Sequence, residues 1–222
     1  MKTTIQSING DQLNLLMALV GKMNSNLKLE TLLLDIMDST KIIMDSQASS
    51  LFLLSDDKTR LTLTVPTGPA TAEVSGKSIP SNQGLSGWVA QNREPVLVKD
   101  VQNDERFEGE LSESTSFVTN DLICVPLINN EDEVIGVLQA INRKDDKEFT
   151  DDLIPVFQTL ANQAAIAIEN AKLQEERLEK ELIHKELEVA RTIQSGFWPK
   201  EVPNIPNYRV AGCSKPAKSV GG

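Results

Sequence analysis

The feature that most constrains this chain lies in its last third. Between Gly136 and Gly196 there is no glycine, and between Pro155 and Pro199 there is no proline. Helix formers dominate from Leu153 to Gln194. Phe157, Leu160, Ala164, Ile168, Ala171, Glu175, Leu178, Leu182, Lys185, Val189 and Thr192 follow one another in steps of three and four, which is the spacing of a heptad seam. Thr150, Asp151 or Asp152 can cap the start, and Asp152 as cap puts Pro155 where its missing N–H matters least. A helix of about 40 residues spans on the order of 60 Å. One small domain cannot cover that length, so the half from Gln174 onward needs another partner. A parallel copy of itself is the simplest one, with Glu175 and Lys185 weakening the seam as polar seam residues do. The pattern therefore predicts a homodimer.

Composition bounds the rest. The chain has 222 residues, of which 40% are hydrophobic and 24% charged, ordinary values for a globular protein. Its 22 Lys+Arg against 32 Asp+Glu leave a net charge of −10. That argues against nucleic-acid binding, which needs a basic face. The acidity is local: residues 100–152 hold 15 acids and 4 bases, and the remainder 17 acids and 18 bases. No apolar run approaches the length of a transmembrane helix, and the start, MKTTIQSINGDQ, lacks the apolar core of a signal peptide. Two Cys and one His cannot supply a four-ligand structural zinc site. These features together predict a cytoplasmic protein with reduced thiols and no membrane contact.

Along the chain, Leu13, Leu16, Leu19, Val20 and Met23 read as a short amphipathic helix, and Asn26 can cap a second helix carrying Leu29, Leu32, Leu33, Ile36, Thr40 and Ile43 to near Ser46. The period then changes to two. Residues 49–55 and 60–65 read as a strand hairpin, 66–81 as a loop, and 84–92 as a short helix opened by glycine. Residues 95–98 are a short strand, and 99–120 a long acidic connection of the kind that is functional or holds a short helix. Residues 122–128 and 134–141 form a second hairpin, in which Pro126 favours an edge or a bulge. This order predicts an α+β fold with an antiparallel sheet.

Several of these segments, in this order, resemble a GAF domain. They are Ile79–Ala90, Glu94–Val101, Asp104-Glu105-Arg106-Phe107, Leu122–Leu127, Ile135–Asn142 and Leu160–Ala171. The resemblance covers residues from about Leu27 to Asn170. It implies a GAF-like antiparallel sheet flanked by helices, acting as a small-molecule sensor or a dimerisation module, with a pocket roofed by short helices and loops. The resemblance implies an unidentified small molecule as the ligand of such a sensor. Ser86 and Gly87 put free N–H groups at a helix start, which can hold an anion. Trp88 either packs under the sheet or lines the pocket. Phe117 and Asn120 would face the pocket. Cyclic-nucleotide-binding members carry an Asn-Lys, a Phe and an Asp-Glu pair in this region. Here Asn142-Arg143 and Phe149 are similar, but Phe149-Thr150-Asp151-Asp152-Leu153 departs from the pattern at the acidic pair.

The C-terminal stretch carries a second resemblance. Glu188–Gln194, Phe197-Trp198-Pro199 and Ala211–Gly222 look like the entry to a bacterial PPM-type serine phosphatase, the class that regulates anti-sigma-factor partner switching. In that family the double glycine is followed by an Asp-x-x-Asp element that begins a binuclear manganese or magnesium site. The sequence stops before it. The resemblance thus implies no metal or other cofactor in this chain and no catalytic residue, but a parent that hydrolyses a phosphorylated anti-anti-sigma-factor type protein.

The sequence therefore divides into an N-terminal helix over 1–26, a GAF sensor over 27–152, a long coiled-coil helix over 153–196, and the start of a phosphatase domain over 197–222. Phe157, Leu160, Ala164, Ile168, Ala171, Leu178, Leu182 and Val189 form the expected dimer seam. Ile193, Phe197, Trp198 and Pro199 form the expected switch toward the phosphatase. A ligand-free interaction module and a cyclic-nucleotide sensor are the alternatives.

Overall fold

The change of hydrophobic period near Ser46 is where helix gives way to sheet. The computed structural model describes residues 28–69, 71–107, 117–144, 147–197, 206, 207, 209 and 211. The helix expected over residues 1–26 lies outside them, as do Trp198, Pro199 and residues 212–222. Helix α1 (Leu29–Ile43) buries Leu32, Leu33, Ile36, Met37, Thr40 and Ile43, the stripe that the three-four spacing predicts. It stops at Ile43 rather than near Ser46, because Ser46 already pairs with Arg143 in the sheet.

Among the described residues six strands follow: β1 (Ser46–Leu54), β2 (Arg60–Thr67), β3 (Ser78–Pro80), β4 (Val96–Val98), β5 (Leu122–Ile128) and β6 (Val134–Arg143). They form one sheet in the order β3-β2-β1-β6-β5-β4, and every neighbouring pair is antiparallel. The sequence predicts five strands. The sixth, β3, and the short helix α2 (Thr71–Val74) both fall in the stretch assigned to a loop. Three residues among prolines and glycines carry no readable period, and β3 exists by pairing with Arg60–Thr62. Pro126 sits where the sheet tolerates it. Strand β4 pairs with β5 only as far as Cys124, and the Pro126 carbonyl accepts instead from Gln158 Nε2 at 2.9 Å.

The alternation sorts side chains onto two faces. Leu51, Ile123, Val125, Leu127, Leu138 and Ala140 share a core with α1 and the start of helix α4 (Leu153–Gly196). Phe52, Leu122, Cys124 and Val137 face the other way, toward α2 and helix α3 (Gly84–Asn92). Two glycine-free strands could not pass at Gly136: a Cβ there would overlap the Phe52 carbonyl oxygen.

Helix α4 starts as predicted. The N–H groups of Leu153 and Ile154 donate to the carbonyls of Thr150 and Asp151. Pro155 is the third residue of the helix, among the positions whose N–H has no intrahelical partner. The heptad stripe, however, has two environments. Phe157, Leu160, Ala164, Ile168 and Ala171 are buried in the core of their own domain. The expectation that they belong to a helix–helix seam is corrected: the sheet face and α1 already cover them. Residues from Lys172 onward form a separate unit. Within it Leu178, Leu182 and Val189 are 53%, 61% and 59% exposed, and Ile193 and Phe197 are exposed as well. Among the described residues, no helix is long and apolar enough to cross a membrane.

Candidate functional site

The site is built on the sheet face that α1 and α4 leave to shorter elements. Gly84 opens α3 with φ of 66°, in the left-handed region that glycine adopts without strain. Gly87 lets the first turn of α3 lie on the Ser81–Asn82 backbone, where a Cβ would overlap Asn82. This close approach brings Leu85, Ser86 and Val89 into the interior.

A cavity of ≈ 130 Å³ lies beneath that turn. Its floor is Ala48, Ser50 and Phe52 of β1, Leu63 of β2, and Gln139 and Ile141 of β6. Gly84, Leu85 and Ser86 of α3 and Thr71 and Val74 of α2 form its walls. Phe107, Phe117 and Thr119 border it from the long connection between β4 and β5. None of the described lining residues is charged. The polar atoms there are hydroxyls and one carboxamide, and Gln139 Nε2 donates to Ser86 Oγ at 2.8 Å. Behind Gln139, burial pushes the Cys124 thiol up to about 12, despite a hydrogen bond to Gln139. It is therefore a protonated thiol at neutral pH and a poor nucleophile.

The described end of this connection, residues 117–121, is latched to the end of β6. Asn142 Nδ2 donates to the Val118 carbonyl at 2.7 Å, and its Oδ1 accepts the Asn120 N–H at 2.8 Å. Asn142 holds φ of 51°, which asparagine tolerates better than most residues. Asp121 Oδ1 accepts the Arg143 N–H at 3.2 Å, and its Oδ2 accepts the Phe149 N–H at 3.1 Å. Gln102, in the single 3₁₀ turn Val101–Asn103, donates to the Thr119 carbonyl at 2.9 Å. At the rim, Arg106 donates from Nε and a terminal nitrogen to the two carboxylate oxygens of Asp104, at 2.9 and 2.7 Å. Its guanidinium lies over the Trp88 ring, 5.0 Å from the centroid. Those hydrogen bonds are the chief reason the Asp104 carboxyl lies below its usual range.

Ser86 and Phe117, both named from sequence, line the cavity together. Trp88 packs partly buried beside the lining and carries Arg106. Asn120 is exposed and acts through its backbone: its N–H reaches Asn142, and its carbonyl accepts from Val101. Gln139 is the central polar residue that sequence reasoning did not single out. Its signal was a lone amide between apolar neighbours in Val137-Leu138-Gln139-Ala140-Ile141. Among the described residues, no group of three or more His, Cys, Asp or Glu could hold a metal ion.

Residues 28–168 match the family model described as GAF domain. The dual 3′,5′-cyclic-AMP and -GMP phosphodiesterase 11A of Takifugu rubripes is 34% identical over 167 residues, covering 70% of this chain and 18% of that protein. The cGMP-specific 3′,5′-cyclic phosphodiesterase of Drosophila melanogaster is 27% identical over 175 residues, covering 73% of this chain and 16% of that protein. The chain thus spans less than a fifth of the length of these curated relatives. The crystal structure of the GAF domain from an Acinetobacter phosphoenolpyruvate-protein phosphotransferase superposes with a TM-score of 0.64 at 25% identity, covering 76% of this chain and 99% of that one.

Proposed function

Because this chain belongs to the GAF domain family, we propose that it is the sensory and dimerising region of a larger cytoplasmic signalling protein. The observation that carries this reading is the cavity between the sheet and α3, bordered by the latched residues 117–121, whose described lining carries no charge. A pocket of this kind, apolar with a few placed polar groups, is the usual form of a small-molecule site.

The output we propose is a metal-dependent protein serine/threonine phosphatase of the sigma-factor partner-switching type. Its support is the resemblance of Glu188–Gln194, Phe197-Trp198-Pro199 and Ala211–Gly222 to the entry of that domain. In such a domain manganese or magnesium would be held by carboxylates of an Asp-x-x-Asp element after the double glycine, and would supply an activated water. Its substrate would be a phosphorylated anti-anti-sigma-factor type protein. Two copies would pair through the exposed residues Leu178, Leu182 and Val189 of α4. A ligand that prefers one arrangement of the sensor would then bias how the helices pack, and with them Ile193 to Pro199. Such a shift requires differential affinity for two states.

A second reading, a cyclic-nucleotide sensor, is favoured by the names of the phosphodiesterase relatives. Titration calorimetry with cyclic AMP and cyclic GMP separates the two. Heat from either nucleotide supports the second reading. The phosphatase output is tested by the coding sequence after Gly222: an Asp-x-x-Asp continuation supports it, and a stop codon there would refute it. If no small molecule binds or raises the melting temperature, the chain is a ligand-free dimerisation module instead.

A further inference from the structure

Resting on the sensor reading, we infer that the cavity takes a small neutral ring compound with one hydrogen-bonding group, and excludes organic anions such as cyclic nucleotides. Four observations lead there. The first is size: a cavity of ≈ 130 Å³ is close to the roughly 150 Å³ apolar cavity that accepts benzene. A purine nucleotide is far larger.

The second is charge. No described lining residue carries one. Between Arg106 and Arg143 the sequence has no Lys or Arg. Arg106 itself is committed to Asp104 and Trp88. Among the described lining residues, the N–H groups that begin α3 would be the positive pole for a phosphate. An anion moved from water into such a lining pays a desolvation cost that no counter-charge offsets.

The third is shape chemistry: Phe52, Phe107 and Phe117 present three aromatic rings to one volume, and aromatic groups pair well with another ring. The fourth is polarity. Gln139 Nε2 is bonded to Ser86 Oγ and its amide also bonds Cys124, which leaves the Ser86 hydroxyl hydrogen for a neutral acceptor. One carbonyl on a ring satisfies it without bringing charge.

The test uses an isosteric pair, benzamide and benzoate, together with cyclic GMP, in titration calorimetry on the 222-residue chain. Benzamide is expected to bind at least about tenfold more tightly than benzoate, the cost of burying an unpaired carboxylate. Ser86→Ala is expected to weaken benzamide about fivefold, the share of one neutral hydrogen bond. The benzamide-to-benzoate ratio needs no variant, so it stands even if Ser86→Ala disturbs folding. Tighter binding of benzoate or cyclic GMP would overturn the ligand class and leave the sensor reading intact. Absence of binding by all three would overturn the ligand class, whereas the sensor reading falls only if no small molecule binds or raises the melting temperature.

Discussion

Gln139 on β6 donates its side-chain N–H to Ser86 Oγ on α3 at 2.8 Å, and both residues are buried. This bond fastens the short helix above the cavity to the sheet below it. Its worth lies in what its loss leaves behind. Ser86→Ala removes the acceptor and strands a buried amide hydrogen, so it costs about 1–2 kcal/mol in urea unfolding. Ser86→Thr, which keeps the hydroxyl, restores part of that.

The latch on the connection is the second testable element. Asn142 makes two side-chain hydrogen bonds to the backbone of Val118 and Asn120 from a left-handed backbone. Asn142→Ala loses both and strains φ, at about 2–3 kcal/mol. Hydrogen exchange at the Asn120 amide should quicken more than at amides of β1. Equal acceleration throughout would mean that Asn142 supports the whole fold rather than the connection.

Cys124 gives a prediction in pH. Its thiol is raised from 9.0 to about 12, chiefly by burial. The folded state therefore holds the proton more tightly than the unfolded one. The resulting stability is complete below about pH 9 and is lost as pH rises toward 12, because the unfolded chain ionises first. Iodoacetamide at about pH 8 should leave the Cys124 peptide unmodified in the native protein and alkylate it in urea, as mass spectrometry will read.

Gly136 is required by the approach of β1. A Cβ would meet the Phe52 carbonyl oxygen and crowd Leu127 and Leu53. Gly136→Ala is expected to cost about 3 kcal/mol, the upper part of the range for overpacking. A melting temperature within a degree or two of wild type would contradict the register Leu53↔Gly136.

Much of this architecture is legible in the sequence because burial imposes a period. The stripe Leu32, Leu33, Ile36, Thr40, Ile43 and the alternation around Leu61 and Leu63 each have one face to hide. Strand β3 and α2 are not legible, since Ser78-Ile79-Pro80 is too short to show a period and is held by Arg60–Thr62. The seam shows a subtler limit. Phe157 and Leu182 have the same spacing and similar chemistry, yet one is fully buried in its domain and the other is 61% exposed. A heptad records that a stripe will be covered, and is silent on what covers it. At the site, Ser86 was legible through its glycine-flanked helix start, whereas Gln139 matters only because the fold brings β6 under α3.

The central claim is that α4 pairs two copies through residues beyond its own domain. Light scattering at tens of micromolar measures this most directly. The account predicts twice the 24.4 kDa chain mass for the wild type. It predicts a return to the single-chain mass, with the domain's melting unchanged, for Leu178→Glu with Leu182→Glu. A wild-type chain that scatters as 24.4 kDa at that concentration would contradict it.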